Sequence, residues 1–354
     1  MSHFEERLEA DLIAIRQWVW DMGEHVEKAL LDSKKALLNR DEELAYQTVL
    51  GDNPINRESR ECDRLCHTFI ARHLPGAGHL REMAATIRVN VALERIGDYA
   101  VTISRESLQL DQDLPREFIH HIDALADESI QILHQSRVAF REGNAELARA
   151  LMLTAKQVEG KMDGIYESLF DADSSFSART TLAIFVVFNL LKRVADQAKN
   201  ICDQTFYAVR GIAKVPKVYK ILFISESAPA LAQLAVSIGR KNFPTAASFS
   251  AATPGDPIEP DSELLSFLTD TTLPDENLVT EKLESLAHDL ADYDVIVGLQ
   301  TPVSSLVEQV PFHTTALNWS LNEQGGQASH ADAYRVLRSE VTDLIDLLAG
   351  EEAA

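Results

Sequence analysis

Apolar residues recur at three- and four-residue spacing from residue 4 to about 211, the signature of helix faces turned to a core. Leu12, Ile15, Val19, Met22 and Val26 form one stripe, and Met83, Ile87, Asn90, Val91, Leu93, Ile96 and Ala100 another. Pro54, Pro75 and Pro115 read as breaks, and Gly76-Ala77-Gly78 as a turn. The longest apolar run, around Leu182 to Leu191, is interrupted by Asn189. It is about half the ~20 residues that span a bilayer, so it reads as a buried helix. The segment also repeats itself. Glu43-Leu44-Ala45 returns as Glu146-Leu147-Ala148, and Leu93-Glu94-Arg95-Ile96-Gly97-Asp98 returns as Leu191-Lys192-Arg193-Val194-Ala195-Asp196, at offsets of 103 and 98 residues. A period so long is not a solenoid unit. With three helices per copy, the expectation is an all-α domain of two tandem three-helix bundles.

After Gly211 the pattern changes. Lys220 to Ile224 reads as a buried strand, Ala230 to Gly239 as a helix, and Ala246 to Ser250 as a second strand. An acidic, Pro-rich loop runs from Pro254 to Asp261. A helix around Val279 to Leu290 precedes the clearest strand, Asp294 to Leu299; Thr314 to Trp319 is a last strand and Ala333 to Leu348 the closing helix. Strand alternating with helix implies an α/β domain with a small parallel sheet of flavodoxin-like type. The expected boundaries are 1–213 for the helical domain (repeats 4–108 and 116–211) and 218–350 for the α/β domain.

The 354 residues are 45% hydrophobic and carry a formal charge of −22. From residue 218 onward six Lys/Arg face 21 Asp/Glu, so most of that charge lies in the second domain. Such acidity argues against nucleic-acid binding and against electrostatic docking onto anionic lipid. Three cysteines, Cys62, Cys66 and Cys202, make no disulfide framework and fit a reducing compartment. The first residues lack a basic region followed by an apolar core, so no signal peptide is expected and the cytoplasm is the expected location.

Glu94 and Asp98 are four apart on one helix, so their carboxylates share a face and repel unless a cation joins them. Asp52 and Asn56 have the same spacing on the preceding helix. If the two helices pack face to face, four oxygen-bearing side chains converge, a set suited to Mg2+, Mn2+ or iron. A solvated acidic face, neutralised by Arg95, satisfies the same spacing. Glu117 and His120 give a single E-x-x-H where ferritin-like di-iron sites need two, so they read as surface. Cys62 and Cys66 share a helix face and read as core, with soft-metal binding the lesser alternative.

The stretch Asp52-Asn53-Pro54-Ile55-Asn56 with Glu61-Cys62-Asp63-Arg64-Leu65-Cys66 resembles the second helix of PhoU proteins, and Leu93 to Ala100 is similar to their signature E-R-I-G-D-x-A. Met22-Gly23 and Asp196-Gln197-Ala198-Lys199-Asn200-Ile201 fit the same family. The resemblance covers about residues 4 to 211. It implies a negative regulator of phosphate uptake and phosphate-starvation signalling. The implied partners are the transporter's ATPase subunit or a phosphate-sensing histidine kinase, and self-association as a homodimer. It also implies a metal ion, Fe, Mn, Zn or Mg, on Glu94, Asp98, Asp52 and Asn56, with Asp196, Glu159 and Asn200 in the second copy. There Lys192 replaces the motif's Glu and Ala155 replaces Asp52, so the first copy is expected to bind metal better. His79 stands where the family has an Asp before Leu-Arg.

Ile221 to Ser225, running on to Gln233-Leu234-Ala235, resembles the opening of low-molecular-weight protein tyrosine phosphatases and the related arsenate reductases. Ser225 occupies the place of their nucleophilic Cys and Leu231 that of their phosphate-gripping Arg, and no cysteine follows Cys202. A Ser without an adjacent base is a poor nucleophile. The expectation is therefore a degenerate, non-catalytic domain whose Ser225, Ser227 and Ala230 loop attracts an anion at most. The enzymatic alternative for the whole chain is a metal-dependent phosphohydrolase built on Glu94 and Asp98.

Overall fold

The computed structural model describes residues 3–171, 177–211, 217–286, 289–311, 313–320 and 329–350; the side chains of 159–171 lie outside the description. The chain divides into two compact units, Met1–Lys214 and Val215–Ala354.

The first unit is six helices: α1 (His3–Asn39), α2 (Glu42–His73), α3 (Ala77–Ser107), α4 (Arg116–Glu142), α5 (Ala145–Asp171) and α6 (Ala178–Arg210). Their ends follow from local chemistry. The Asp41 carboxylate accepts from Leu44 N–H at 3.0 Å and starts α2, and Ser177 Oγ accepts from Thr180 N–H at 3.1 Å and starts α6. Left-handed glycines, Gly143 at φ 63° and Gly211 at φ 69°, stop α4 and α6. At 37 residues, α1 is about 55 Å long. The expected stripe of α1 is buried throughout, from Leu12 to Val26. One continuous cluster of buried apolar side chains draws on all six helices, so the two copies share their main core; a small separate cluster of Ala139, Ala148, Leu151 and Cys202 lies within the second copy.

Three helical expectations are corrected. Pro54 lies inside α2 rather than at a break. Proline cannot donate to the carbonyl four residues back, which here belongs to Leu50. The neighbouring Asn53 amide donates to that carbonyl instead, at 3.4 Å. On α3, Ile87 is half-buried and Val91 is 40% exposed, so the stripe is narrower than its spacing implied. At the start of α6, Leu182 and Phe185 are exposed while Ala183, Ile184, Val187 and Phe188 are buried, so the apolar run is a core face with an apolar flank. Among the described residues no helix is long and apolar enough to cross a membrane.

A buried cation links the copies. Arg137 of α4 reaches across α1, where its guanidinium pairs with Glu27, donates to the Trp20 carbonyl at 2.7 Å and lies 4.4 Å from the Trp20 ring centroid. Gly23 makes the crossing possible: a Cβ there would stand 2.1 Å from Arg137 Nε.

The second unit holds β1 (Tyr219–Ile224), α7 (Pro229–Asn242), β2 (Ala247–Thr253), α8 (Ser262–Asp270), β3 (Glu281–Lys282), β4 (Val295–Leu299), α9 (Val303–Leu306), β5 (Thr315–Trp319) and α10 (His330–Ala349). All pairings are parallel, in the order β3-β2-β1-β4-β5. Without the two-residue β3, the order of the remaining strands matches the start of a flavodoxin-like sheet. Alternation along β1 sends Ile221 and Phe223 to one core, shared with α7 and α10, and Leu222 and Ile224 to another on the opposite face. Phe223 stacks on Phe249 of β2, centroids 6.3 Å apart.

The helix expected around Val279 to Leu290 is absent. Glu281–Lys282 pair with β2, and 3-10 turns follow at Leu283–Leu286 and Leu290–Asp292. Thr280 decides this. Its N–H donates to the Ile258 carbonyl at 3.1 Å and its hydroxyl accepts from Ile258 N–H at 2.8 Å, which holds the chain extended where a helix would begin.

Gly23→Ala is expected to destabilise the helical unit by about 1–3 kcal/mol through overpacking against Arg137. In an Arg137→Ala background the same substitution should cost under about 0.5 kcal/mol, because the obstacle has gone. Urea denaturation followed by helical circular dichroism measures both.

Candidate functional site

Helix periodicity puts Glu94 and Asp98 on one face of α3, and packing brings α2 against it. Ile55, 3% exposed, seats on Gly97: a Cβ added at Gly97 would lie 3.4 Å from Ile55 Cγ2 and 4.0 Å from Asp52 Oδ1. Asp52 thereby reaches the acidic face of α3. Asn56 stays with it, donating from Nδ2 to Asp52 Oδ2 at 2.6 Å and keeping its own carbonyl oxygen as an acceptor.

The three carboxylates feel one another. Burial and then the Asp98 charge raise the Asp52 carboxyl above its ordinary range, against the Asn56 hydrogen bond and the more distant Arg105. Burial, Asp98 and Asp52 raise Glu94, and Arg95 offsets part of that. Among the described residues none of the three forms an ion pair. Arg95 and Arg105 act on these carboxylates from a distance without pairing with them, and all-oxygen donors are the type that hard or borderline metals take. As they stand, however, no three His, Cys, Asp or Glu among the described residues are gathered closely enough to hold an ion.

Arg105 was missed in the sequence. It follows Asp98 by seven residues, two helical turns, and that spacing on one face was the available signal.

In the second copy Glu159 and Asp163 lie outside the described side chains, and Asp196 is half-buried. Asn200 donates to Gln197 Oε1 at 3.3 Å and lines a groove between α3 and α6 with Arg88, Arg95 and Asp203. Cys62 and Cys66 are fully buried, and the hydrogen bond between their thiols together with burial pushes Cys62 well above the ordinary thiol range. Such thiols are core groups rather than reactive ones. Glu117 and His120 are exposed at the start of α4.

In the α/β unit, Ser225 is buried after β1, Ser227 is exposed and Ala230 half-buried. Ser225 N–H donates to the Ala252 carbonyl at 3.2 Å, and Ser225 Oγ accepts from Ala228 N–H at 3.3 Å. Pro229 opens α7 and has no N–H to offer. Two of the loop's donors are thus engaged internally and a third position has none.

The raised carboxyls fix the sign of a pH effect. A carboxyl whose folded pKa exceeds its unfolded value lowers stability at neutral pH, and the loss is recovered as pH falls through the folded pKa. In chelator at low salt, Asp98→Asn is expected to stabilise the helical unit by a few tenths of a kcal/mol to about 1 kcal/mol. The gain should shrink in high salt and on acidification into the carboxylate range. Thermal unfolding across salt and pH checks this.

The PhoU domain family model matches this chain twice, over residues 19–107 and 122–205. The phosphate-specific transport system accessory protein PhoU of Serratia marcescens is 30% identical over 212 residues, covering 59% of this chain and 87% of that protein. The Escherichia coli protein of the same name is 29% identical, with 59% and 88% covered. In three dimensions the chain is similar to the crystal structure of PhoU from Pseudomonas aeruginosa, with a TM-score of 0.55 and 28% identity, covering 58% of this chain and 99% of that one. The PhoU structure from Streptococcus pneumoniae, at 22% identity and a TM-score of 0.54, shares the fold. With both repeats matched by the family model and most of its relatives' length covered, this chain belongs to the PhoU family.

Proposed function

We propose that this protein is an accessory regulator of phosphate-specific transport and of the signalling tied to phosphate supply, acting by binding rather than by catalysis. The observation that carries the proposal is the likeness of both helical repeats to proteins named as accessories of the phosphate-specific transport system. The regulator restrains uptake when phosphate is plentiful. Its partners are the transporter's ATPase subunit or a phosphate-sensing histidine kinase, it works in the cytoplasm, and it self-associates as a homodimer.

In this proposal Glu94, Asp98 and Asp52, with the Asn56 carbonyl oxygen, hold a divalent or iron-type cation. Bound there, the cation supplies positive charge that relieves the mutual repulsion of the three carboxylates and leaves positions for acceptor groups of a partner. The chain's own residues do the rest. Gly97 admits α2, Ile55 sets its distance, and the amide of Asn56 orients Asp52. The α/β unit adds a partner surface; its sheet crest keeps a degenerate phosphatase-like loop without a nucleophile.

Added Mn2+ is expected to raise the unfolding midpoint of the wild-type chain by linkage, worth about 2.7 kcal/mol at one hundred times Kd. A Glu94→Gln, Asp98→Asn double variant should gain nothing, although it is the more stable protein in chelator. In cells lacking the native gene, the double variant should fail to restrain phosphate uptake in rich medium. Pull-downs with the intact chain and with residues 1–213 should both recover a transporter or kinase component. Restraint of uptake by the double variant at wild-type level would defeat the metal-dependent part, and failure of the wild type itself would defeat the regulatory reading. Mn2+-dependent phosphatase turnover lost with Glu94 would establish the hydrolase instead.

A further inference from the structure

We propose that a half-open cavity lined by α1, α3, α4 and α6 is a binding site for a small organic monocarboxylate with an apolar body. The cavity has a volume of about 330 Å3. At ~30 Å3 per water that is roughly eleven waters, room for an aryl or branched acid. Its walls are largely apolar, formed by Val19, Val89, Leu93, Phe140 and Ala208.

Two polar groups on this wall stand unclaimed. Thr86 is only 4% exposed, lines the cavity, and its hydroxyl has no hydrogen-bond partner among the described residues. Arg141, an exposed residue, lines the cavity with its guanidinium 4.4 Å from the Trp20 ring centroid, held by a cation–π contact, and it too has no acceptor among the described residues. The terminal nitrogens of the other two arginines of the wall are engaged: Arg16 grips Glu82 at 2.6 and 3.1 Å, and Arg137 is paired with Glu27 and the Trp20 carbonyl, with its Nε left buried and without a partner.

One free guanidinium fork and one free hydroxyl facing an apolar wall define an anionic head on an apolar body. A planar guanidinium matches a carboxylate bidentately. Glu82 and Glu142 on the same wall disfavour a doubly charged anion and select a single negative charge. The site shares no side chain with the acidic face of Glu94 and Asp98.

Isothermal titration of the full chain with benzoate and with isovalerate tests the assignment, with benzyl alcohol as the neutral counterpart of benzoate. Benzoate is expected to bind with a Kd below about 1 mM, a range open to a ligand of about nine heavy atoms. Thr86→Val and Arg141→Gln should each weaken it about tenfold or more, and benzyl alcohol should bind at least as weakly to the wild type. Thr86→Ser keeps the hydroxyl and should bind benzoate as the wild type does, which separates a lost hydrogen bond from a damaged fold. The proposal is overturned if neither acid gives saturable heat by about 10 mM, if both hydroxyl- and guanidinium-removing variants bind as tightly as wild type, or if the alcohol matches the acid.

Discussion

The helical unit depends on one buried cation. Arg137 is 4% exposed, and taking a guanidinium out of water is costly unless its charge and its donors are met. The Glu27 carboxylate, the Trp20 carbonyl and the face of the Trp20 ring, all on α1, meet its charge and its terminal donors, leaving only Nε without a partner, while the arginine itself comes from α4. The first helix of one copy is thus bound to the first helix of the other. The contact exists only because residue 23 has no side chain, which gives the Met22-Gly23 pair in the sequence a mechanical meaning. The same indole also carries Arg141, so one aromatic ring orders two guanidiniums on either account of charge.

Much of this architecture was legible from spacing alone. A stripe such as Leu12 to Val26 has one physical explanation at helical period, and the structure buries all of it. Two similar stretches recurring about one hundred residues on likewise pointed to two copies. What spacing could not reveal was how copies meet. Val91 and Ile87 obey the same period as their buried neighbours, yet they line a groove between α3 and α6 and are only partly covered. Pro54 was misread because the rule against interior proline presumes an orphaned carbonyl, and Asn53 removes that premise. The apolar spacing before β4 suited a helix, but the paired bonds of Thr280 with Ile258 outcompeted it through contacts more than twenty residues distant.

The candidate site divides the same way. Glu94 and Asp98 share a face by arithmetic. That Asp52 joins them depends on Gly97 and Ile55, a packing fact invisible one residue at a time. The cavity beside Thr86 was beyond reach in principle, since a void is defined by what several helices fail to fill. In the α/β unit the structure shows that the Ser225 hydroxyl accepts from Ala228 N–H, serving the turn between β1 and α7.

Sharing one core between two copies has a consequence for how the helical unit comes apart. Removing either triplet of helices would expose to water the apolar side chains that the other buries against it. The duplicated halves behave as a single cooperative block, and damage to either is felt at once by both.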